Sequence, residues 1–148
     1  MDDWPPQKRE RKDYSWWNTY STRWGDNDMY GHINNRIYNS MFDTVVNYFL
    51  IKNADFDPIN SNYMGVTPEI RCCYYKSIQY PETVDVGISV KKLGNSSITY
   101  DIGVFKKNSE ELCAIGHFVH VYVERKNHNI IVRVPNKIAE ACEKLLNN

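Results

Sequence analysis

No stretch of the 148-residue chain comes near the roughly 18 to 20 consecutive apolar residues that carry a helix through a bilayer. The opening Met1-Asp2-Asp3-Trp4-Pro5-Pro6 has neither a basic n-region nor an apolar h-region, and it is not Arg-rich and acid-poor. The closing Leu145-Leu146-Asn147-Asn148 carries no address or lipidation box. The expectation is a soluble, cytoplasmic protein. Charge of one sign is not in surplus either, since 18 Lys and Arg stand against 18 Asp and Glu. Nucleic acids and membrane surfaces are held largely by excess Lys and Arg, so neither is expected as a partner. Cysteine is sparse. Without a secretion signal, Cys72, Cys73, Cys113 and Cys142 are expected to be reduced core residues, and the sequon at Asn95 is then idle. G-x-S-x-G, the Walker loop, H-E-x-x-H and any internal repeat are missing too.

What the chain does have is apolar and aromatic bulk: 42% of residues are apolar and 14% aromatic, enough for one domain to bury a core that offsets the entropy of ordering it. Residues 1–13, with Lys8-Arg9-Glu10-Arg11-Lys12, are charged and non-periodic and read as a flexible arm; a single domain is expected from 14 to 148. Tyr14 to Trp24 mixes aromatic and β-branched residues with polar ones, as strands do. From Asn35 to Lys52 the apolar positions Ile37, Tyr38, Met41, Phe42, Val45, Val46, Phe49 and Leu50 recur at steps of three and four, which predicts one long amphipathic helix. Thereafter the period is two. Strands are predicted from Val66 to Ser77, around Val84–Val90, around Ile98–Val104 and around Val119–Val123, with an edge piece at Ile130–Val134 and a short helix from Asn136 to Leu146. Short turns at Gly94-Asn95-Ser96 and Lys107–Glu110 make the strands antiparallel neighbours. The fold class is therefore α+β, an antiparallel sheet wrapped around one central helix.

Between strand and helix lies Gly25-Asp26-Asn27-Asp28-Met29-Tyr30-Gly31-His32-Ile33-Asn34-Asn35. It begins like a calcium loop, but Tyr30 stands at the fifth position and Ile37 at the twelfth, where a bidentate Glu is needed. Asp26, Asp28, Asn34 and Asn35 are also turn and cap formers, and one helix start does not need them all. A helix N-terminus presents unpaired N–H groups and the positive end of a dipole, able to hold a carbonyl oxygen that gains charge. A carboxylate a few residues upstream can attack that carbonyl or activate water, which is acyl-transfer chemistry. His117 and His120, three apart on a strand, point to opposite faces and form no metal pair; no metal site is expected. Lys91 and Lys92 beside Ser96 and Ser97 are either a solvated hairpin or a phosphate contact.

Trp24 to Asn35 with Tyr38 resembles the signature of the 4-hydroxybenzoyl-CoA thioesterase-like branch of the hotdog-fold acyl-CoA thioesterases, and the likeness continues through Leu93–Tyr100, Gly116–Val123 and the Pro135 region. The resemblance implies a hotdog fold with five or six strands, acyl-CoA as substrate, and a homodimer or dimer of dimers with sites between subunits. It also implies hydrolysis without metal or cofactor. It places the nucleophile or general base on Asp28, with Asp26 a structural partner. The backbone amide near Asn35 or Asn34 then holds the thioester oxygen, Gly31, His32, Asn34 and Tyr38 contact the substrate, and Lys92, Ser96 and Ser97 reach the pantetheine or phosphates of CoA. Met29-Tyr30 is bulkier than the family's usual pair, which predicts a narrowed acyl pocket, and Asp43, alone on the helix, is given no lead role. The rival readings are a non-catalytic acyl-CoA-binding or scaffolding protein of the same fold, and a single-stranded nucleic-acid binder, which the core spacing of the aromatics and the lack of a basic groove rank last.

Overall fold

The structure, a computed structural model, describes residues 4–147; Met1 to Asp3 and Asn148, at the ends of the expected arm and domain, lie outside the described residues. Strand β1 (Trp16–Ser21) leads through the polar loop into helix α1 (Arg36–Asn53). Strands β2 (Tyr63–Tyr74), β3 (Thr83–Leu93), β4 (Ser97–Lys106) and β5 (Leu112–Glu124) follow, then helix α2 (Asn136–Glu143). All five strands join one antiparallel sheet in the order β1-β3-β4-β5-β2, which leaves β1 and β2 as edges. Among the described residues no helix is long and apolar enough to cross a membrane.

Helix α1 is held by burial. Its β-branched and aromatic residues each cost up to about 0.7 kcal/mol in helix propensity. The eight apolar residues on its inner stripe are all buried, at roughly 1.5–3 kcal/mol each, so packing wins by a wide margin. The stripe meets Val84, Val86, Ile88 and Val90 of β3, Ile98, Tyr100, Ile102 and Val104 of β4, and Phe118 and Tyr122 of β5 in one cluster. Pro68, which has no N–H to give a ladder, sits where the β2–β5 register shifts between Val66 and Glu69.

Three expectations change. Strand β5 begins at Leu112, because Leu112–Gly116 is buried continuously and hides the two-residue alternation. Ile130–Val134 forms only an isolated bridge, Ile131 to Val123, with Ile131 left exposed. The flexible arm gives way to a docked one from Trp4 onward. Along the arm, which ends in a 3-10 turn over Arg11–Asp13, Lys8, Glu10 and Lys12 face solvent, whereas Arg9 and Arg11 turn inward onto the sheet's outer face. Arg9 pairs with Asp101 at 2.9 Å and Arg11 with Asp85 at 2.7 Å, and the Arg11 guanidinium lies over the rings of Trp17 and Phe105. Gly87 and Gly103, register partners on β3 and β4, make a trough for the Tyr14 ring; a Cβ at Gly103 would stand 2.4 Å from it. The Tyr14 hydroxyl donates to Asp101, whose carboxyl burial pushes up.

His120 lies on the inner face, 2% exposed and edge-on to Tyr100, Phe118 and Tyr122, and its Nδ1 has no partner among the described residues. Burial lowers its pKa to about 4. The unfolded chain then binds a proton near pH 6.5 that the folded chain refuses until about pH 4, so stability is full above the first value and falls as pH drops through this window. The loss is roughly 3 kcal/mol. Urea titrations at pH 7.5 and pH 4.5 are expected to show it in the wild type and a flatter pH dependence in His120→Leu.

Candidate active site

The loop from Thr22 to Asn35 is built by its own polar side chains. After β1 a single 3-10 turn, Trp24–Asp26, is closed by Asp26, 1% exposed, whose carboxylate accepts from the Arg23 N–H at 2.8 Å and from the Arg23 guanidinium at 3.1 Å. A miniature hairpin follows. Asn27 and Ile33 bridge, the Asp28 N–H donates to the His32 carbonyl, and the Gly31 N–H donates back to the Asp28 carbonyl, both at 3.1 Å. Gly31 takes φ +87°, a left-handed conformation that needs glycine, so its role is in the turn. Met29 and Tyr30 form the exposed tip of the loop.

Both oxygens of Asp28 are aimed. Oδ1 accepts from the Tyr30 N–H at 2.8 Å, an Asx turn, and Oδ2 accepts from the Asn34 side-chain amide at 3.1 Å. Asn34 in turn accepts from the Arg36 N–H, the first residue of α1, at 3.1 Å. One side chain thus ties the acid to the helix start. The Asn34 N–H is spent on the Asp26 carbonyl at 2.9 Å, so of the two amides expected to hold an oxyanion only that of Asn35 is open. Asn35 is the N-cap, exposed, with no side-chain cap bond, and its N–H has no hydrogen-bond partner among the described residues. It lies at the end of the helix carrying about half a positive elementary charge.

The other expected residues fall into three groups. His32 is half-buried, stacked on Tyr30 with its Nδ1 3.4 Å from the Ile33 carbonyl, and it anchors the turn. Tyr38, 2% exposed, meets Phe42 and Tyr74 edge-on beneath the helix start; it is a wall of the core, its hydroxyl held protonated by burial. Lys92, Ser96 and Ser97 are not brought to Asp28 within one chain. The loop packs by the Thr83 end of β3 and Lys92 is at the other, about 30 Å away at 3.3 Å per residue. An open cleft of about 690 Å³ lined by Tyr63, Arg125, Lys126 and Arg133 also lies at that far end. Asp43 faces solvent, bonded by Asn47. Cys72 is no nucleophile in waiting, since burial pushes its thiol up to about 12. His117 pairs with Glu69 on the outer face, opposite His120. Unforeseen from sequence were the 77–82 segment, which grips both sides of the acid loop, and Tyr74 at its flank; backbone bonds between distant segments leave no local signal.

An antiparallel five-stranded sheet packed around one central helix is the hotdog fold. Residues 22–142 match the family described as the thioesterase-like superfamily, and the chain belongs to it. It is similar to the PA5185 protein of Pseudomonas aeruginosa strain PAO1, at 37% identity and TM-score 0.91, over 94% of this chain and 96% of that one. It is similar also to YsmA of Bacillus subtilis (strain 168), 27% identical over 124 residues, 82% of each chain. Its fold is shared with Slr0204, a 1,4-dihydroxy-2-naphthoyl-CoA thioesterase from Synechocystis, at TM-score 0.78 and 12% identity, over 87% of this chain and 96% of that one.

The two aspartates separate by measurement. Asp26→Ala removes a buried cap and is expected to lower unfolding free energy by about 1–3 kcal/mol. Asp28→Ala, at a partly exposed turn, is expected to cost about 1 kcal/mol or less in the same urea titration.

Proposed function

We propose that the protein hydrolyses the thioester of an acyl-CoA to free acid and CoA, in the cytoplasm. The observation that carries this reading is the hydrogen-bonded path from the Asp28 carboxylate through Asn34 to the start of α1, beside an Asn35 N–H with nothing to bind. A thioester carbonyl oxygen on that N–H gains a hydrogen bond that strengthens as charge develops, an effect typically worth about a hundred- to a thousandfold in rate. Asp28 then either attacks the carbonyl carbon, expelling the CoA thiolate and leaving an anhydride that water opens, or takes a proton from an attacking water. Asn34 keeps the carboxylate aimed in both routes.

The reading includes a second copy of the chain. The outer edge of β2 is unpaired within the described residues, and strand pairing across a two-fold axis is the usual way such an edge is closed. An antiparallel β2–β2 pair sets the Tyr63 end of one protomer beside the Tyr74 end of the other. The partner's Arg125, the partner's Lys126 and the partner's Arg133 then approach the Asp28 loop, together with the hairpin of Lys92, Ser96 and Ser97, as cations and hydroxyls for the phosphates of CoA. The protein acts as a homodimer or a pair of homodimers.

The test is a panel of acyl-CoAs with released thiol trapped by a chromogenic disulfide. Wild type is expected to turn over at least one class, and Asp28→Asn to lose at least a hundredfold in kcat/KM while its circular dichroism is unchanged. Undiminished activity in that variant, or tight acyl-CoA binding with no turnover by the wild type, overturns the reading. Asn35→Pro deletes the open N–H at a residue whose φ of −55° already fits the proline ring. It is expected to lower kcat by about a hundred- to a thousandfold and to leave helix content intact.

A further inference from the structure

The Asp28 loop, closed by its own side chains, is also braced from outside. It hangs on the segment 77–82, between β2 and β3, at three points. The Ile33 N–H donates to the Ile78 carbonyl at 2.7 Å, the Tyr80 N–H donates to the Asn27 side-chain oxygen at 3.1 Å, and the Thr22 N–H and hydroxyl both donate to the Glu82 carbonyl. Asn27 and Ile33 are the bridge pair on either side of Asp28. The Trp24 ring meets Tyr80 edge-on, 5.9 Å away. Any shift of this bracket is a shift of the acid.

The bracket lies in no strand, so it lacks a ladder of its own. Two bonds close it internally, from the Glu82 N–H to the Gln79 carbonyl at 2.8 Å and from the Gln79 N–H to the Glu82 carboxylate at 3.3 Å. Ile78 anchors it in the core at 1% exposure, and its polar fastening to the sheet comes from Lys106, the last residue of β4. The Lys106 ammonium donates to the Ser77 carbonyl at 2.9 Å and makes a short ion pair with the Glu82 carboxylate, and so grips both ends of the bracket at once. Lys106 is itself held, since its carbonyl accepts from Arg11 of the arm at 3.1 Å. An exposed Lys–Glu pair is usually worth 1 kcal/mol or less. This one has side chains 23% and 30% exposed and a second bond to a backbone carbonyl, and its geometry decides where a loop sits.

We propose that Lys106, acting with Glu82, is a positioning residue for the hydrolysis: it never meets the substrate, and it sets the placement of Asp28 against the Asn35 N–H through the 77–82 bracket. This rests on the function proposed above. Misplacement of a reacting group by about 1 Å can cost on the order of a hundredfold in rate, while binding made elsewhere survives.

The experiment compares wild type, Lys106→Met, Lys106→Arg and the surface control Lys137→Met, whose partner Asp55 is also exposed. Hydrogen exchange of residues 22–35 is followed alongside kcat and KM on the best acyl-CoA. Lys106→Met is expected to speed exchange at 27–34 and to lower kcat roughly ten- to a hundredfold with KM changed less than about threefold. Lys106→Arg is expected to restore both, and the control to move neither. Unchanged exchange at 27–34 in Lys106→Met overturns the bracket whatever the activity, and faster exchange with undiminished kcat overturns its role in catalysis. Should Lys106→Met not fold, Glu82→Gln, which keeps the backbone bonds and removes the charge pair, is held to the same two readouts. If wild type hydrolyses no acyl-CoA, the proposed function fails, and the exchange data alone still decide the bracket.

Discussion

Burial of the α1 stripe against the curled sheet is the constraint from which the rest follows. A helix with this many aromatic and β-branched residues gains little from its own backbone, so its axis and its start are set by what it packs on. The same packing places Tyr38 under the first turn and leaves Asn35 just above it, outside the core. An open N–H at a helix start is costly when buried and cheap when wet. Here it is wet and exposed, where a carbonyl oxygen can reach it.

The loop ahead of the helix divides its polar residues between two kinds of work. Asp26 is spent inside, closing a turn and satisfying Arg23, and the Asn34 N–H is spent on the Asp26 carbonyl. Asp28 is spent only in part. Its carboxylate accepts from the Tyr30 N–H and the Asn34 amide, bonds that orient it and leave it partly exposed. In the proposed hydrolysis the turn supplies the aim of that carboxylate. The ion pair of Lys106 with Glu82 extends that support to a segment some fifty residues away in the chain.

The outer face of the sheet shows the same economy. Charge repels a residue from a dry surface unless its partner is there, so a run such as Lys8-Arg9-Glu10-Arg11-Lys12 is ordinarily solvated. Asp85 and Asp101 make the difference, each placed by its strand to meet an inward Arg, and Gly87 and Gly103 open the space beside them for Tyr14. Because the arm covers that face, Leu112 to Gly116 is buried on both sides and loses the alternation by which a strand is recognised.

Periodicity by itself determined the long helix, the strands and the antiparallel hairpins joining β3, β4 and β5, and the loop in which an acid precedes a helix start, because each depends on side chains a few residues apart; that β2 closes onto β5 and β1 onto β3 was decided by the tertiary structure. The family resemblance carried by Trp24–Asn35 added the thioesterase type. The tertiary structure alone decided that Asn35 and not Asn34 keeps a free N–H, that Lys92, Ser96 and Ser97 stand at the far end of the sheet from Asp28, and that the arm is docked. Each of these turns on which distant backbone or carboxylate a group meets once the chain has closed, and no local pattern of residues records that meeting.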